Sequence, residues 1–108
     1  MAAIFVLDQI RLHPGKLGEF REKLAREYIP AARGRGLQLV DSWLTPPLEL
    51  EDDGNDLVLL WSLEDLGAFW KMRSLQGADP EGARWWEGTG AWVASRSRKF
   101  MTRQEVSA

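Results

Sequence analysis

The sequence predicts an α+β domain with four antiparallel strands and the element order βαββαβ. Two observations carry this prediction. A strand-like run at Ile4 to Leu12 changes into helical apolar spacing, and the dipeptide Asp53-Gly54 marks a hairpin between two later strands. A tight hairpin has no place in a parallel sheet whose connections are helical crossovers. The order is therefore that of ferredoxin-like folds, with the first and third strands central.

The first strand and the first helix differ in their apolar period. Ile4 to Leu12 carries apolar residues on both faces, which predicts burial on two sides. From Lys16 to about Ala32 the apolar residues recur at every third or fourth position, which predicts a helix that Pro30 should kink or end. Its apolar face consists of Leu17, Phe20, Leu24 and Tyr28.

The middle of the chain is predicted to form two antiparallel strands. Leu37 to Leu44 alternates, which places Leu39, Asp41 and Trp43 on one face. After two prolines the chain resumes as a strand and reaches Asp53-Gly54. Leu57 to Leu63 then runs back as the most apolar strand, and it should be central.

A second helix and a short extra helix are expected before the last strand. Ser62 and Asp65 have the spacing of a capping box, which opens a helix that ends near Gly77. Asp79 suits the N-cap of a further helix, Glu81 to Glu87, because a proline follows at the first helical position.

The last strand is predicted at Ala91 to Phe100. With 108 residues the chain has room for one domain, which we place at residues 1–101, followed by a polar tail at residues 102–108. We expect no second domain.

Composition excludes several functions. A net charge of −2 gives no basic field for nucleic acid. The absence of cysteine excludes thiolate metal sites and fits a cytoplasmic location, and there is neither a signal-peptide pattern nor a membrane-spanning stretch. His13 is the one histidine and lies in a turn, and the acidic hairpin lacks the ligand spacing of a calcium loop. We therefore expect neither a metal nor a cofactor.

The six tryptophans predict a partner. They carry more apolar surface than one small layer of helices can cover, and no strand has a clean polar face. Because both helices of a ferredoxin-like fold cover the same side of the sheet, the other side should be covered by a ligand or by a second subunit.

Four segments resemble the NIPSNAP-type branch of the dimeric α/β-barrel superfamily. These are Ile4 to Leu12, the following Pro14-Gly15-Lys16, the Gly36-Leu37 approach to Trp43, and the Leu60-Trp61 strand. The resemblance implies two subunits that pack sheet against sheet into a barrel, with a pocket in the barrel interior or between each sheet and its helices. It also implies that monooxygenase, cyclase or isomerase chemistry without a cofactor is open to the fold.

The sequence departs from the family pattern at two positions. Asp8 stands where relatives often have a basic residue, and Leu59 stands where they often have a histidine. The helical histidine usual in haem-binding barrels is absent, which disfavours a haem protein. Any polar pocket chemistry of such relatives is not carried over at these positions.

Two carboxylates are candidates for acid–base catalysis. Asp8 and Asp41 lie mid-strand among apolar neighbours, where an unpaired carboxylate would be costly. The alternatives are a pair with an arginine such as Arg11 or Arg96, or a solvated strand edge. Asp41 is the sharper candidate, because it is predicted to form a slot with Trp43 and Trp61.

Candidate ligand-binding residues are Trp43, Trp61, Trp92 and Arg96. The alternation of side chains along the last strand predicts that Trp92 faces the barrel interior, as Trp43 and Trp61 are predicted to do. Arg96 could bind an anion, or, with Arg98 and Lys99, it could protect an edge strand or contact the dimer rim. The preferred function is a homodimer that binds a small apolar or aromatic molecule, and the alternative is a non-catalytic protein-interaction or scaffold domain.

Overall fold

Within the described residues, 3–78 and 80–107 of a computed structural model, four strands form one antiparallel sheet. Their order across the sheet is β2-β3-β1-β4, so the predicted α+β, ferredoxin-like arrangement with central first and third strands is confirmed. The strands are β1 (Ile4–Leu12), β2 (Gln38–Thr45), β3 (Asp56–Leu63) and β4 (Val93–Thr102).

The first crossover helix contains a π-helical turn. It runs as α1 (Leu17–Lys23), the π turn (Leu24–Tyr28) and α2 (Ile29–Gly34). The π turn ends two residues before Pro30, whose ring lacks an N–H and would crowd the carbonyl of Arg26, four residues back, in a regular α-helix. The kink predicted at Pro30 therefore takes the form of a π turn, and the helix continues past the predicted end.

The second crossover consists of α3 (Leu66–Ala78) and α4 (Pro80–Gly88). Asp65 caps α3, because its Oδ1 accepts a hydrogen bond from the backbone N–H of Ala68 at 2.8 Å. Ser62 lies within β3, so its predicted part in a capping box is wrong. The predicted N-cap Asp79 lies outside the described residues.

The connection between β2 and β3 is a loop, residues 46–55, and the strand predicted before Asp53-Gly54 is absent from it. Asn55 is buried and organises this loop. Its Oδ1 accepts from the N–H of Leu50 at 3.0 Å, and its Nδ2 donates to the carbonyl of Leu48 at 2.9 Å. Gly54 is required beside it, because a Cβ there would overlap the carbonyl of Leu12.

The hydrophobic core lies between the sheet and the helices. We call this side of the sheet the inner face. Its strand residues are buried against apolar side chains of the first crossover helix and against Met72 of α3. The inner-face core residues of β1 and β3 are Ile4, Val6, Ile10, Leu12, Leu57, Leu59, Trp61 and Leu63.

The opposite side, the outer face, is apolar at its centre but only half-buried. Phe5 and Leu7 of β1 lie there beside Val58 and Leu60 of β3, and none of the four belongs to the buried core. The sequence-based inference that neither face is cleanly polar therefore agrees with the structure. The described helices lie on the inner face.

Candidate functional site

Asp8 is the centre of a buried polar network on the inner face. It lies directly opposite Arg98 on the neighbouring strand, and its carboxylate accepts from Arg98 Nε at 2.6 Å and from Nη2 at 2.9 Å. Trp61 Nε1 donates to the same carboxylate at 2.9 Å, and Arg98 Nη2 also bonds the hydroxyl of Tyr28 at 3.0 Å. The side chains of Asp8 and Arg98 are only 4% and 14% exposed.

In this network the negative charge of Asp8, one of the two predicted catalytic carboxylates, is compensated by the positive charge of Arg98. Asp8 has a bidentate arginine and an indole donor, so its oxygens are engaged in charge-assisted hydrogen bonds. Burial by itself would lower the pKa of Arg98, but the hydrogen bond to Asp8 and the charges around it outweigh burial, and the pKa is raised above its ordinary value. Of the interpretations that the sequence leaves open for Asp8, the structure shows the pair with an arginine. The arginine is Arg98, and not Arg11 or Arg96.

Aromatic rings from α4 cover the network. Tyr28 lies between Trp61, at 6.2 Å between ring centroids, and Trp85 and Trp86, at 4.9 and 5.2 Å. Trp85 also donates its Nε1–H to Glu27 at 3.1 Å. Such tilted and edge-on pairs each contribute about 0.5–1.5 kcal/mol beyond burial, so α4 is fixed to the first helix by its tryptophans.

Arg96 stacks on this aromatic cluster. It lies opposite Ile10 and therefore on the inner face, with its guanidinium carbon 4.0 Å from the ring centroid of Trp86. Burial lowers the pKa of Arg96, and the neighbouring Arg98 cation adds to this effect. Neither arginine lies on the outer face, although Lys99, opposite Leu7, does.

A β-bulge separates the predicted slot residues. Leu39 pairs with Trp61, but the register shifts before Asp41, which pairs with Leu60. Asp41 and Trp43 therefore share the outer face, whereas Trp61 is fully buried on the inner face. The prediction that the three form one slot is wrong. Asp41 is exposed and accepts from the backbone N–H of Ser42 at 2.8 Å.

Trp92 precedes the last strand rather than belonging to it. It lies in the turn after α4, partly buried against the core, and its carbonyl accepts from the N–H of His13 at 2.9 Å. Lys23 Nζ lies 5.5 Å from its ring centroid. The strand parity used to place Trp92 in a barrel interior therefore does not apply.

An open groove of about 690 Å³ lies between the first crossover helix and the β2 edge of the inner face. Its floor is apolar and consists of Leu24, Leu39, Leu44, Leu57 and Leu59, while Arg21, Glu22 and Trp43 stand at the rim. The volume falls within the range of about 300–1,000 Å³ that is usual for small-molecule sites. Trp43 thus belongs to a ligand-sized groove, with neither Asp41 nor Trp61 among its lining residues.

Three residues of the site region were not predicted from the sequence to be site residues: Tyr28, Arg35 and Arg98. Tyr28 was assigned to the helix face and Arg98 to the basic end of the last strand. Asp8 and Arg98 are opposite charges that lie directly across from each other in the middle of neighbouring strands. The sequence does not give the register between β1 and β4, and without it this pair could not be predicted. Among residues 3–78 and 80–107, no group of three or more acidic, histidine or cysteine side chains could hold a metal ion.

Together these features define a ferredoxin-like α+β protein with a polar network inside its core and an open apolar groove at one sheet edge. The sequence matches no protein-family model and no curated protein. Solved structures with the same fold include NIPSNAP-family proteins, so the NIPSNAP resemblance is confirmed at the level of the fold. No described helix has the length and apolar character needed to cross a membrane.

Three of these structures illustrate the likeness. An uncharacterised NIPSNAP-like domain protein from Burkholderia xenovorans is 21% identical, with a TM-score of 0.72 over 99% of this chain and 90% of that one. A NIPSNAP-family protein of unknown function from Agrobacterium tumefaciens is 16% identical, with a TM-score of 0.72 over 98% and 92%. SnoaB, a cofactor-independent oxygenase from Streptomyces nogalater, is 19% identical, with a TM-score of 0.60 over 98% and 97%. At these identities the likeness concerns the fold, and function has to be argued from the site.

Proposed function

We propose that this protein is a homodimer that binds a small apolar molecule in the groove beside β2. The observation that carries the binding proposal is the groove itself, with leucine side chains from both the sheet and the helix on its floor and the exposed charged residues Arg21 and Glu22 at its rim. Concave apolar sites with a few polar groups at the edge are the usual form of small-molecule pockets.

The outer face supports the dimer. Phe5, Leu7, Val58 and Leu60 form a contiguous half-buried patch at its centre, and Trp43 extends it to the edge strand with 47% of its surface exposed. Contiguous apolar patches of this kind mark interaction surfaces. A second copy offers a matching patch, because a two-fold interface brings the same residues together from both subunits.

The proposal is confined to binding, because neither predicted catalytic carboxylate lines the groove. Asp8 is held by Arg98 and Trp61, and Asp41 lies on the outer face, with its Oδ1 bonded to its own neighbour Ser42. SnoaB shows that a chain of this fold can be a cofactor-independent oxygenase. Catalysis by the present chain would need a group other than these two.

The groove is tested with the neutral apolar dye Nile red and a variant that fills the site. Ala25 is exposed and lines the groove from the π turn, so Ala25→Phe should block it without opening the core. We expect Nile red to bind the wild type in the micromolar range and to bind Ala25→Phe at least about tenfold more weakly, a loss of about 1.4 kcal/mol. Ser74→Phe, at an exposed site on α3, is the matched control and should bind as the wild type does. Equal binding by all three proteins would reject the groove as the site.

The dimer is tested by sedimentation equilibrium at micromolar concentration. The wild type should have twice the chain mass of 12.3 kDa. Leu60→Glu places a charge at the centre of the outer face and should give a folded monomer, whereas Leu75→Glu, on the surface of α3, should remain dimeric. A monomeric wild type would overturn the dimer while leaving the groove proposal open to its own test.

A non-catalytic protein-interaction domain is the second candidate, and the surface of α3 favours it. Leu66 and Trp70 are 52% and 61% exposed there, one turn apart on the same side of the helix. Exposed tryptophans are frequent energetic centres of protein interfaces. This candidate would be preferred if Nile red bound no better to the wild type than to Ala25→Phe.

A further inference from the structure

Two adjoining cavities lie on the other side of the first crossover helix, away from the groove. The smaller, of about 130 Å³, is lined by Tyr28, Arg35, Gln76, Trp86 and Arg96 and by the first turn of α4. The larger, of about 230 Å³, shares Tyr28, Arg35 and the first turn of α4 with it. None of the groove residues lines either cavity, so a ligand bound here would be independent of the proposed groove ligand.

Arg35 is a buried cation without a complete set of partners. It is 8% exposed, and its Nε–H has no acceptor within hydrogen-bond distance among the described residues. Its guanidinium carbon lies 5.7 Å from the ring centroid of Tyr28, which holds the group at the wall of both cavities. Because arginine cannot lose its proton in a protein and its five N–H groups demand acceptors, a buried and unsatisfied Nε–H indicates a place for an anion.

Arg96 provides a second cation across the smaller cavity. Its stacking on Trp86 at 4.0 Å fixes the guanidinium plane before any ligand arrives. Arg96 remains partly exposed, so a ligand can reach its guanidinium.

The carboxylates near the cavities leave the smaller one to the two arginines. Asp8 is held by Arg98, and neither residue lines either of these two cavities. Glu27 accepts a hydrogen bond from Trp85. Both Glu27 and Glu81 line the larger cavity and not the smaller one. An anion is therefore best placed in the smaller cavity.

The start of α4 contributes to the same electrostatic field. The helix has nine residues, and its first turn reaches both cavities through Gly82. The N-terminal end of a helix carries free N–H groups and a partial positive charge, which favour an anion. Two arginines and a helix start therefore converge on one small volume.

We propose that these cavities bind a small organic anion with one terminal carboxylate or phosphate. The oxyanion lies between Arg35 and Arg96 in the smaller cavity, which has room for a few atoms and not for a whole ligand. The aromatic body of the ligand lies in the larger cavity, against Tyr28, Ala31 and Trp85, with Glu27 and Glu81 also among the lining residues. The shape of the pair thus selects a compact acid, such as an aromatic carboxylate or an aryl phosphate.

The test follows the Arg35 Nε–H signal by proton–nitrogen NMR while benzoate, phenyl phosphate or neutral benzamide is added. We expect a saturable shift with at least one of the two anions and no shift with benzamide. A shift with benzoate but not with phenyl phosphate would indicate a carboxylate site. A shift with phenyl phosphate but not with benzoate would indicate a phosphate site. Arg96→Gln should weaken binding about tenfold or more, the loss expected for one charge-assisted hydrogen bond.

Arg84→Gln is the matched control, because Arg84 is an exposed arginine of α4 that lines neither cavity. It should leave the affinity within about twofold of the wild type, since exposed charges outside a site contribute little. Arg35→Gln should abolish binding, followed by the indole N–H signal of Trp86 because the Arg35 signal is lost, with the backbone spectrum as a check of folding. Because Arg96 is exposed, Arg96→Gln keeps the test valid if Arg35→Gln does not fold.

Two outcomes would overturn the proposal. One is an Arg35 Nε–H signal that neither anion moves at millimolar concentration. The other is equal weakening by Arg96→Gln and Arg84→Gln, which would mean attraction by overall charge only. Benzoate binding in Ala25→Phe, the variant with the blocked groove, should be unchanged, so failure here and failure of the groove proposal can be told apart.

Discussion

The two faces of the sheet each carry an aspartate and a tryptophan, and the two pairs behave differently. On the inner face Asp8 and Trp61 are buried and joined by a hydrogen bond of 2.9 Å. On the outer face Asp41 and Trp43 are exposed and belong to the open side of the sheet. The same residue types thus make a structural network on one face and an accessible surface on the other, because only the inner face is covered by helices that exclude water.

The difference shows that a mid-strand carboxylate is not by itself a catalytic signal. A buried carboxylate must be paired or protonated, and Asp8 is paired by Arg98 directly across the strands. An exposed carboxylate such as Asp41 has no such requirement. Three predictions test this contrast, in order of decreasing effect.

Removal of the inner carboxylate should have the largest effect. Asp8→Ala leaves Arg98 buried without its counter-ion, and we expect a loss of about 3–5 kcal/mol in the free energy of unfolding measured in urea. Asp41→Ala should change it by less than about 0.5 kcal/mol. Similar losses in the two variants would contradict the assignment of Asp8 to a structural ion pair.

Replacement of the inner indole should come next. Trp61→Phe keeps an aromatic ring but removes the Nε1 donor to Asp8 and leaves space, so we expect a loss of about 1–3 kcal/mol by urea unfolding. Trp43→Phe should cost less than about 0.5 kcal/mol under the same conditions, because a ring remains at a half-exposed site. A larger loss for Trp43→Phe would mean that the outer face is the better packed of the two.

Replacement of Arg98 by lysine, the other cation that could pair with Asp8, should have a smaller effect. Arg98→Lys keeps the charge but loses the bidentate geometry and the bond to Tyr28, and we expect a loss of about 1–2 kcal/mol at pH 8. Because the raised pKa of Arg98 keeps it charged, its contribution is present below the pKa of unfolded arginine and is lost only at extreme alkaline pH. Lysine loses its proton at lower pH, so the difference between the two proteins should grow as the pH rises past about 10.4. A constant difference from pH 8 to 11 would be evidence against an ion pair at this position.

Much of the fold was accessible from local sequence patterns. The apolar periods of Ile4 to Leu12 and of the first helix, with the antiparallel connection expected at Asp53-Gly54, led to the correct strand order. The connection itself is a loop of ten residues, 46–55, and the predicted tight hairpin is wrong. The exit from β2 was less accessible, because Asn55 holds residues 46–55 as a loop through bonds to backbone groups distant along the chain. The capping of α3 by Asp65 rather than through Ser62 depends on where β3 ends, which pairing with β1 decides.

The candidate site was less accessible. The groove combines residues of the first helix, β2 and β3, and no short motif in the sequence joins them. The anion cavities depend on Arg35, which lies just after a helix and is buried beside Tyr28 and α4. Both sites consist of side chains that meet through packing, so neither has a local pattern.

The sequence by itself determined the alternation of elements, the centrality of the first and third strands, and the surplus of aromatic surface, because each depends on the period and polarity of neighbouring residues. The tertiary structure alone decided which face each aspartate and tryptophan occupies. One bulge between Leu39 and Asp41 reverses the side-chain alternation of β2, because alternation has a period of two and one extra residue moves every later side chain to the other face.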